Sequence, residues 1–385
     1  MRVTAPLHLW LALSPHGYGH ATMTAPLVAE LRRRRPDLRL TIQTSLPRDF
    51  LATRYGTFEH VPQIPDFGFQ MLSPTAIDIE ASAARYVAQH AGFPALVETE
   101  AARLRAAAPN LVLANVPYVT VAAAARAGIP VAAYSSLNWA DLADHYLSDL
   151  PHCDGVRAQM RAAYAEAEVF LRPTPAQPMT LPNVRDIGTV AQLGCDRRQE
   201  VRRRLGVGEG TRLGVIAYGG IDFRLSLAGW PHVDGWFWLS SLLETPERPD
   251  MAPWQAAGVP FADLLPSIDL IVGKTGYGTF TEAALAGIPV LYEPRPDWPE
   301  GPPLEEWLHR HTRCLPAAPG QLLDGKLEEL LHTLFSLPEQ PFALPTGVPE
   351  GVDILMRMVD LRTSSAVAVD VQGDHDAEAS NGDRK

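Results

Sequence analysis

Cysteine is scarce in this sequence. Cys153, Cys195 and Cys314 are the only three, widely spaced and without a Cys-x-x-Cys pair. That excludes a disulfide framework and a zinc ribbon, and it fits a reducing compartment. Basic charge is also short: 33 Lys and Arg against 44 Asp and Glu leave a formal net charge of −11, so no nucleic-acid backbone is expected as a partner. The one basic run, Arg32–Arg35, closes an amphipathic helical pattern, where cations complement the negative end of the helix dipole. No stretch approaches the roughly 18 uninterrupted apolar residues of a membrane span. The apolar run Leu7–Leu13 leads into a glycine turn rather than a small-residue cleavage site, so it reads as a buried strand. These absences predict a cytoplasmic protein, with peripheral attachment to a membrane left open.

What is present is ordinary globular composition, 46% hydrophobic and 20% charged over 385 residues, enough for two domains. Short apolar runs alternate with longer helical patterns, which predicts an α/β chain with parallel sheets. Leu7–Leu13, Leu40–Thr44, Leu111–Ala114 and Val131–Tyr134 read as strands of a first half, with helices over Thr22–Arg35, Ile79–Ala107 (broken near Gly92 and Pro94) and Val119–Ala127. Four prolines in Pro173–Pro182 predict the interdomain linker. Leu213–Ala217, Asp269–Gly273 and Val290–Tyr292 then read as strands of a second half. Helices are expected near Arg197–Leu205, Thr279–Ala286, Gln321–Phe335 and Gly351–Leu361. The domains are placed at 1–175 and 176–362. The small, polar residues 363–385 read as a disordered tail.

Two echoes link the halves. His16-Gly17-Tyr18-Gly19-His20 and Thr275-Gly276-Tyr277-Gly278-Thr279 each follow a strand and open a helix. Ala127-Gly128-Ile129-Pro130-Val131 and Ala286-Gly287-Ile288-Pro289-Val290 each end a helix and start a strand.

The second glycine turn carries the strongest chemical signal. After Ile271–Gly273, the run Lys274–Glu282 is a glycine-rich turn leading into a helix. Its free N–H groups and positive dipole end suit a phosphate, and its glycines allow close approach. Thr279 can cap the helix or donate to a phosphate oxygen, and Glu282 can reach ribose hydroxyls. A Walker A loop is excluded by Ile268 where glycine is required, and a dinucleotide fingerprint by Thr281. A capping box between Thr279 and Glu282 stays open. The strand ending at Tyr292 delivers Arg295, Asp297 and Glu300 to the same sheet edge, the acids as acceptors for sugar hydroxyls and Arg295 to neutralise charge.

With these residues the chain resembles the GT-B glycosyltransferases, which include UDP-glycosyltransferases and the lipid II synthase MurG. It is most similar to the glycosyltransferase-like N-terminal region of L-arabinokinases and to stand-alone bacterial relatives. The resemblance implies two Rossmann-like domains facing a cleft, with the acceptor-side domain first and the donor-side domain second. Gly276–Thr279 would hold the diphosphate of a nucleotide sugar, most simply a UDP-sugar. Glu282 would hold the ribose, Phe261 would lie against the base, and Asp297 and Glu300 would face the sugar. Gly219 and Gly220 would approach the donor phosphates, and the turn carrying Gly17 and Gly19 would face them from the other domain. His20 follows such a turn, where the family places a general base for the acceptor hydroxyl. A helix-start histidine that only contacts backbone or phosphate fits it equally, and His16 is a second candidate. Where plant-type members carry an Asp to orient the histidine, this chain has Asn115, which can orient the ring but adds no countercharge.

No metal or other cofactor is expected. Asp374-His375-Asp376 is the only Asp-x-Asp and lies in the tail, and helix dipoles can stabilise a departing diphosphate. The reading is metal-independent transfer of a sugar from a nucleotide donor to an unidentified acceptor hydroxyl. Alternatives are a nucleotide-sugar hydrolase or 2-epimerase on the same fold, or a non-catalytic nucleotide-sugar-binding protein.

Overall fold

The short apolar runs assemble into two parallel sheets in the computed structural model of the chain, which describes residues 6–73, 76–218, 227–240, 248–323 and 326–361. The first sheet contains β1 (His8–Leu13), β2 (Arg39–Gln43), β3 (Glu59–Val61), β4 (Leu111–Asn115), β5 (Val131–Tyr134), β6 (Val169–Pro173) and β7 (Val184–Ile187), in the order β3-β2-β1-β4-β5-β6-β7. The second contains β8 (Arg212–Ala217), β9 (Trp236–Ser240), β10 (Met251–Pro253), β11 (Leu270–Lys274), β12 (Val290–Glu293) and β13 (Cys314–Pro316), in the order β10-β9-β8-β11-β12-β13. The central strands are continuous apolar runs because helices cover both faces of each sheet. Every residue of β1 and β4 is buried. The aromatic run Trp236–Trp238 is buried core within β9.

In each sheet the strand order reverses beside the first strand, between β1 and β4 and between β8 and β11. Crevices at such reversals, at the carboxyl ends of parallel strands, are where open α/β sheets bind ligands.

This order separates the two sequence echoes. β4 and β11 are counterparts, each beside the first strand of its sheet, and the two Ala-Gly-Ile-Pro-Val segments lead from the helices after them into β5 and β12. That echo is a true topological repeat. The glycine turns are not equivalent: His16–His20 follows β1, whose counterpart is β8, whereas Thr275–Thr279 follows β11.

The proline-rich segment at 173–182 is a connection inside the first sheet rather than the interdomain linker, because β7 lies beyond it and pairs with β6. The last helix also departs from the expected division. Residues 347–361 are helical and return to the first half, where Gly351 packs on Leu27 and Ile187 and Asp353 pairs with Arg34. Gly347 donates to the Thr189 carbonyl at 3.0 Å, and a Cβ there would collide with the backbone of Gly188. The helix expected over Gln321–Phe335 forms as two, Pro319–Leu323 and Leu327–Ser336.

The halves are pinned near the cleft by Tyr277. Its hydroxyl accepts from the Val190 N–H at 3.0 Å and donates to the Thr174 carbonyl at 3.4 Å. Tyr277→Phe strands the buried Val190 donor, so it is expected to destabilise the chain by about 1–3 kcal/mol, read by chemical denaturation.

Candidate functional site

The first glycine turn begins where β1 ends. Gly17 sits at φ 94°, a left-handed backbone that favours glycine, and the helix Gly19–Arg34 starts with no side chain capping it. His20 is the second residue of that helix, and its ring turns inward to the end of β4. There Nδ1 lies 2.7 Å from the Asn115 Oδ1. Asn115 Nδ2 in turn donates to Thr24 Oγ1 at 2.9 Å, and Thr24 Oγ1 donates to the His20 carbonyl at 2.7 Å.

This relay determines the tautomer. The Thr24 proton is committed to a carbonyl, so its oxygen must accept from the Asn115 NH2 group. The Asn115 carbonyl oxygen therefore faces His20, which must carry its proton on Nδ1. Nε2 is left with a free lone pair. Burial pushes the His20 pKa down to about 4, opposed only by the Asn115 hydrogen bond, so the ring is neutral at physiological pH.

His16 packs beside it, its pKa lowered to about 3 by burial and by the charges of His20, Arg295 and Lys274. The fully buried Trp139 ring meets both histidines edge-on, with centroids 5.4 Å from His16 and 5.7 Å from His20. The loop carrying Asp66 closes over His16. Gly68 takes φ 63° there, and a Cβ would come within 2.7 Å of the His16 ring. Both Asp66 carboxylate oxygens are buried without a hydrogen bond of normal geometry among the described residues, and burial pushes this acid up to about 6. A pocket of about 280 Å³ opens on the same side, bounded by His16, Tyr18, Leu46, Pro47, Phe67 and Met71.

The second turn follows β11. Gly273 has no room for a side chain, since a Cβ would lie 2.5 Å from the Ala217 carbonyl oxygen. Gly276 is the N-cap of the helix Tyr277–Ala286, with no side-chain cap. The open capping-box question is thereby closed: Thr279 is the third helical residue, not the cap, and Glu282 lies a full turn further in. The first N–H groups of an α-helix have no partner within it, and here no side chain takes them. The Thr279 hydroxyl beside them makes no hydrogen bond among the described residues.

Gly278 abuts the first turn of the helix Gly19–Arg34, its Cβ position 3.6 Å from Thr22 Cγ2. Two uncapped helix N-termini thus meet across the cleft, and their dipoles add to the cation of Lys274. Positive ends brought together repel unless an anion lies between them. Burial, and then Arg295, lower the Lys274 pKa to about 7, and its ammonium makes no hydrogen bond or ion pair among the described residues.

Two expected ligand groups have other employment. The Thr275 hydroxyl donates to Glu305 at 2.6 Å and lies by the Glu293 carbonyl, so its side chain anchors the turn. The Tyr277 ring is the pin between halves, leaving only its backbone N–H at the helix start.

On the loop after β12, Glu300 is buried, its oxygens accepting from the Ser136 hydroxyl and, at 3.2 Å, from the Trp298 indole. Its pKa is raised by burial. Asp297 is exposed, and its backbone carbonyl accepts from the Tyr146 hydroxyl of the first half. Arg295 is buried over the Trp298 ring, 4.2 Å from its centroid. Trp298 lies parallel to His16, with centroids 6.2 Å apart. Glu282 is half-buried, and burial raises its pKa to about 7 against the opposing charge of Arg54. Phe261 meets Trp254 edge-on at 5.4 Å. Gly219 and Gly220 lie outside the described residues, as does Asp374–Asp376.

His16 and His20 form a His-x-x-x-His pair, but no group of three or more His, Cys, Asp or Glu able to hold a metal occurs among the described residues. No helix of the described residues is long and apolar enough to cross a membrane.

Ser136, Trp139, Asp66 and Trp298 were not singled out by sequence reasoning. Ser136 and Trp139 follow β5 at the carboxyl edge of the sheet, where function is expected in parallel α/β folds, so position was the usable signal. Asp66 had none, because burial of a lone loop carboxylate is decided by tertiary packing.

No protein-family model matches the chain. It is 27% identical over 330 residues to L-arabinokinase of Arabidopsis thaliana, which covers 84% of this chain and 31% of that protein. The chain thus spans about a third of the length of that curated relative. Among solved structures, the calicheamicin glycosyltransferase CalG4 aligns with TM-score 0.57 at 17% identity, covering 96% of this chain and 98% of that one. UGT89C1 of Arabidopsis thaliana, complexed with UDP, aligns with TM-score 0.55 at 13% identity, covering 92% and 100%. A protein of Listeria monocytogenes named as a UDP-N-acetylglucosamine 2-epimerase aligns with TM-score 0.53 at 13% identity, covering 90% and 94%. The architecture is the GT-B fold: two Rossmann-like, parallel-sheet halves whose strand ends face one cleft.

Proposed function

We propose that this protein transfers a sugar from a nucleotide-diphosphate donor, of the UDP-sugar type, to an acceptor hydroxyl. The observation that carries the reading is the meeting of two uncapped helix N-termini at Gly278 and Thr22, beside the ammonium of Lys274, which is unpaired among the described residues. A diphosphate matches that field in charge and size. In this reading the N–H groups of Tyr277, Gly278 and Thr279 hold the diphosphate, with the Thr279 hydroxyl and Lys274. Glu282 takes the ribose and the Trp254–Phe261 pair the base. The acceptor enters by the pocket at Tyr18, Pro47 and Phe67.

In the chemical step, the acceptor hydroxyl gives its proton to His20 Nε2 as its oxygen bonds to the anomeric carbon. The bond from that carbon to the phosphate oxygen breaks, and the departing diphosphate keeps the electron pair. Lys274 and the helix start receive that charge, the role the reading assigns to them in place of a metal. UGT89C1, solved with UDP, has the same fold and supports a nucleotide ligand. The likeness to the 2-epimerase, together with the missing countercharge at Asn115, favours one second reading, in which free or epimerised sugar forms without acceptor.

The experiment is product analysis with a panel of UDP-, GDP- and TDP-sugars, with and without acceptor alcohols. Glycoside formed only with acceptor supports transfer, acceptor-independent product supports the second reading, and absence of nucleotide binding sinks both. Lys274 adds a pH signature. It is charged below about pH 7, so UDP affinity is expected to fall as pH rises through 7. Lys274→Met should weaken UDP binding about 10- to 100-fold at pH 6 and flatten the dependence, measured by calorimetry.

A further inference from the structure

The proposed reaction leaves one conspicuous cation without a task. Arg295 is 8% exposed, and its Nε and Nη2 are closed off from solvent without a hydrogen bond. It forms no ion pair among the described residues, while its guanidinium lies on the Trp298 ring. The carboxylates that act on it electrostatically are Glu300 and Glu293. Glu300 is already engaged by Ser136 and Trp298, and Lys274 adds repulsion from the neighbouring strand. A buried guanidinium left in this condition is costly unless a ligand supplies the anion.

The position narrows the identity of that anion. If the diphosphate sits on the turn after β11 and the base is His20, the transferred sugar must lie between them. Arg295 borders that space. It extends from the end of β12, about 4.8 Å along the sheet edge from β11, and rests on Trp298, which also lies parallel to His16 and against Tyr146. Of the acids on this loop, Asp297 is exposed and each Glu300 oxygen already accepts one bond, whereas the Arg295 guanidinium has no ion pair among the described residues. The loop therefore offers the sugar a cation, and a planar guanidinium is suited to a carboxylate.

We propose that Arg295 recognises a carboxylate on the donor sugar, so that the donor is a nucleotide-linked uronic acid. This rests on the donor-site reading above. The test compares binding of UDP, UDP-glucose, UDP-glucuronate and UDP-galacturonate, with GDP, GDP-mannose and GDP-mannuronate as a second series, to wild type, Arg295→Gln and Arg295→Lys. The thermal midpoint without ligand controls for folding.

Expected is a uronate bound at least about tenfold more tightly than the matching neutral hexose. That preference should collapse to within about threefold in Arg295→Gln and be partly kept in Arg295→Lys, while affinity for the free nucleotide diphosphate holds. Equal binding of uronate and hexose by the wild type overturns the proposal without need of any variant. So does an Arg295→Gln variant that loses free UDP as severely as the uronate, since the arginine is then a diphosphate clamp. Nucleotides that bind while every uronate is excluded also overturn it but leave the donor site standing. Failure of every nucleotide removes the donor-site reading itself.

Discussion

His20→Ala is expected to lower sugar transfer by about 10²- to 10⁴-fold in kcat, the range for loss of a positioned general base, with UDP affinity little changed. The physical ground is the relay Thr24–Asn115–His20, which commits the Nδ1 proton and leaves Nε2 as the free acceptor. Because burial holds this ring at about 4, it is neutral and competent above that pH and protonated below it. The kcat/KM profile should therefore show an acid limb near pH 4 rather than near 6.5, and His20→Ala should abolish the limb. In the kcat profile the limb should move upward, because a bound diphosphate places negative charge in the same cleft and favours the imidazolium. A His20→Ala variant that turns over like wild type, with the same limb, removes the histidine from the chemistry. Asn115 gives the orientation that an Asp would give but no charge to stabilise the cation, which makes this a weakly basic histidine in the free protein.

The largest stability effect is expected at Trp139. Its side chain is fully buried at the start of the helix Trp139–Leu147, in edge contact with His16, His20 and Phe69. Truncation to alanine removes a large apolar volume from a packed interior, and about 3–5 kcal/mol of stability should be lost, read by chemical denaturation. Trp139→Phe keeps most of that volume and should cost less than half as much. Function separates the two roles of this ring. If Trp139 also holds both imidazoles in place, the phenylalanine variant, though folded, should lose more turnover than nucleotide affinity, because the reacting groups tolerate little displacement. Equal losses in both, or a cost under about 1 kcal/mol for the alanine variant, would contradict this account.

Much of the fold was legible because its signals are local. The strands after which the glycine turns lie are short, continuous apolar runs, and each turn opens a helix, which begins at Gly19 and at Tyr277, just ahead of the expected Thr22 and Thr279. Boundaries failed where local signals were weak or ambiguous. Pro173–Pro182 reads as a linker on composition, yet β7 is short and half-polar, and only its pairing with β6 reveals that the first sheet continues. The helix 347–361 has the pattern of a closing element, but nothing in that pattern says which half it closes on.

For the site, the sequence by itself determined the chemical inventory: a phosphate-suited turn at Gly276–Thr279, a histidine behind a second glycine turn, an amide at Asn115 in place of an acid, and charged residues at 295, 297 and 300. Those follow from residue type and from spacing within one strand–turn–helix unit. The tertiary structure alone decided how the inventory is used. It set Gly278 against Thr22, so that two helix dipoles converge, and it turned Thr275 and Tyr277 away to structural bonds. It buried Arg295 on the Trp298 ring without an ion pair among the described residues and tied Glu300 to Ser136 across the cleft. It also showed the two glycine turns to be topologically unrelated, although they resemble one another as strings. The reason is physical: propensity, capping and turn geometry act over a few residues, whereas burial, charge convergence and hydrogen-bond partnership depend on which distant elements pack together.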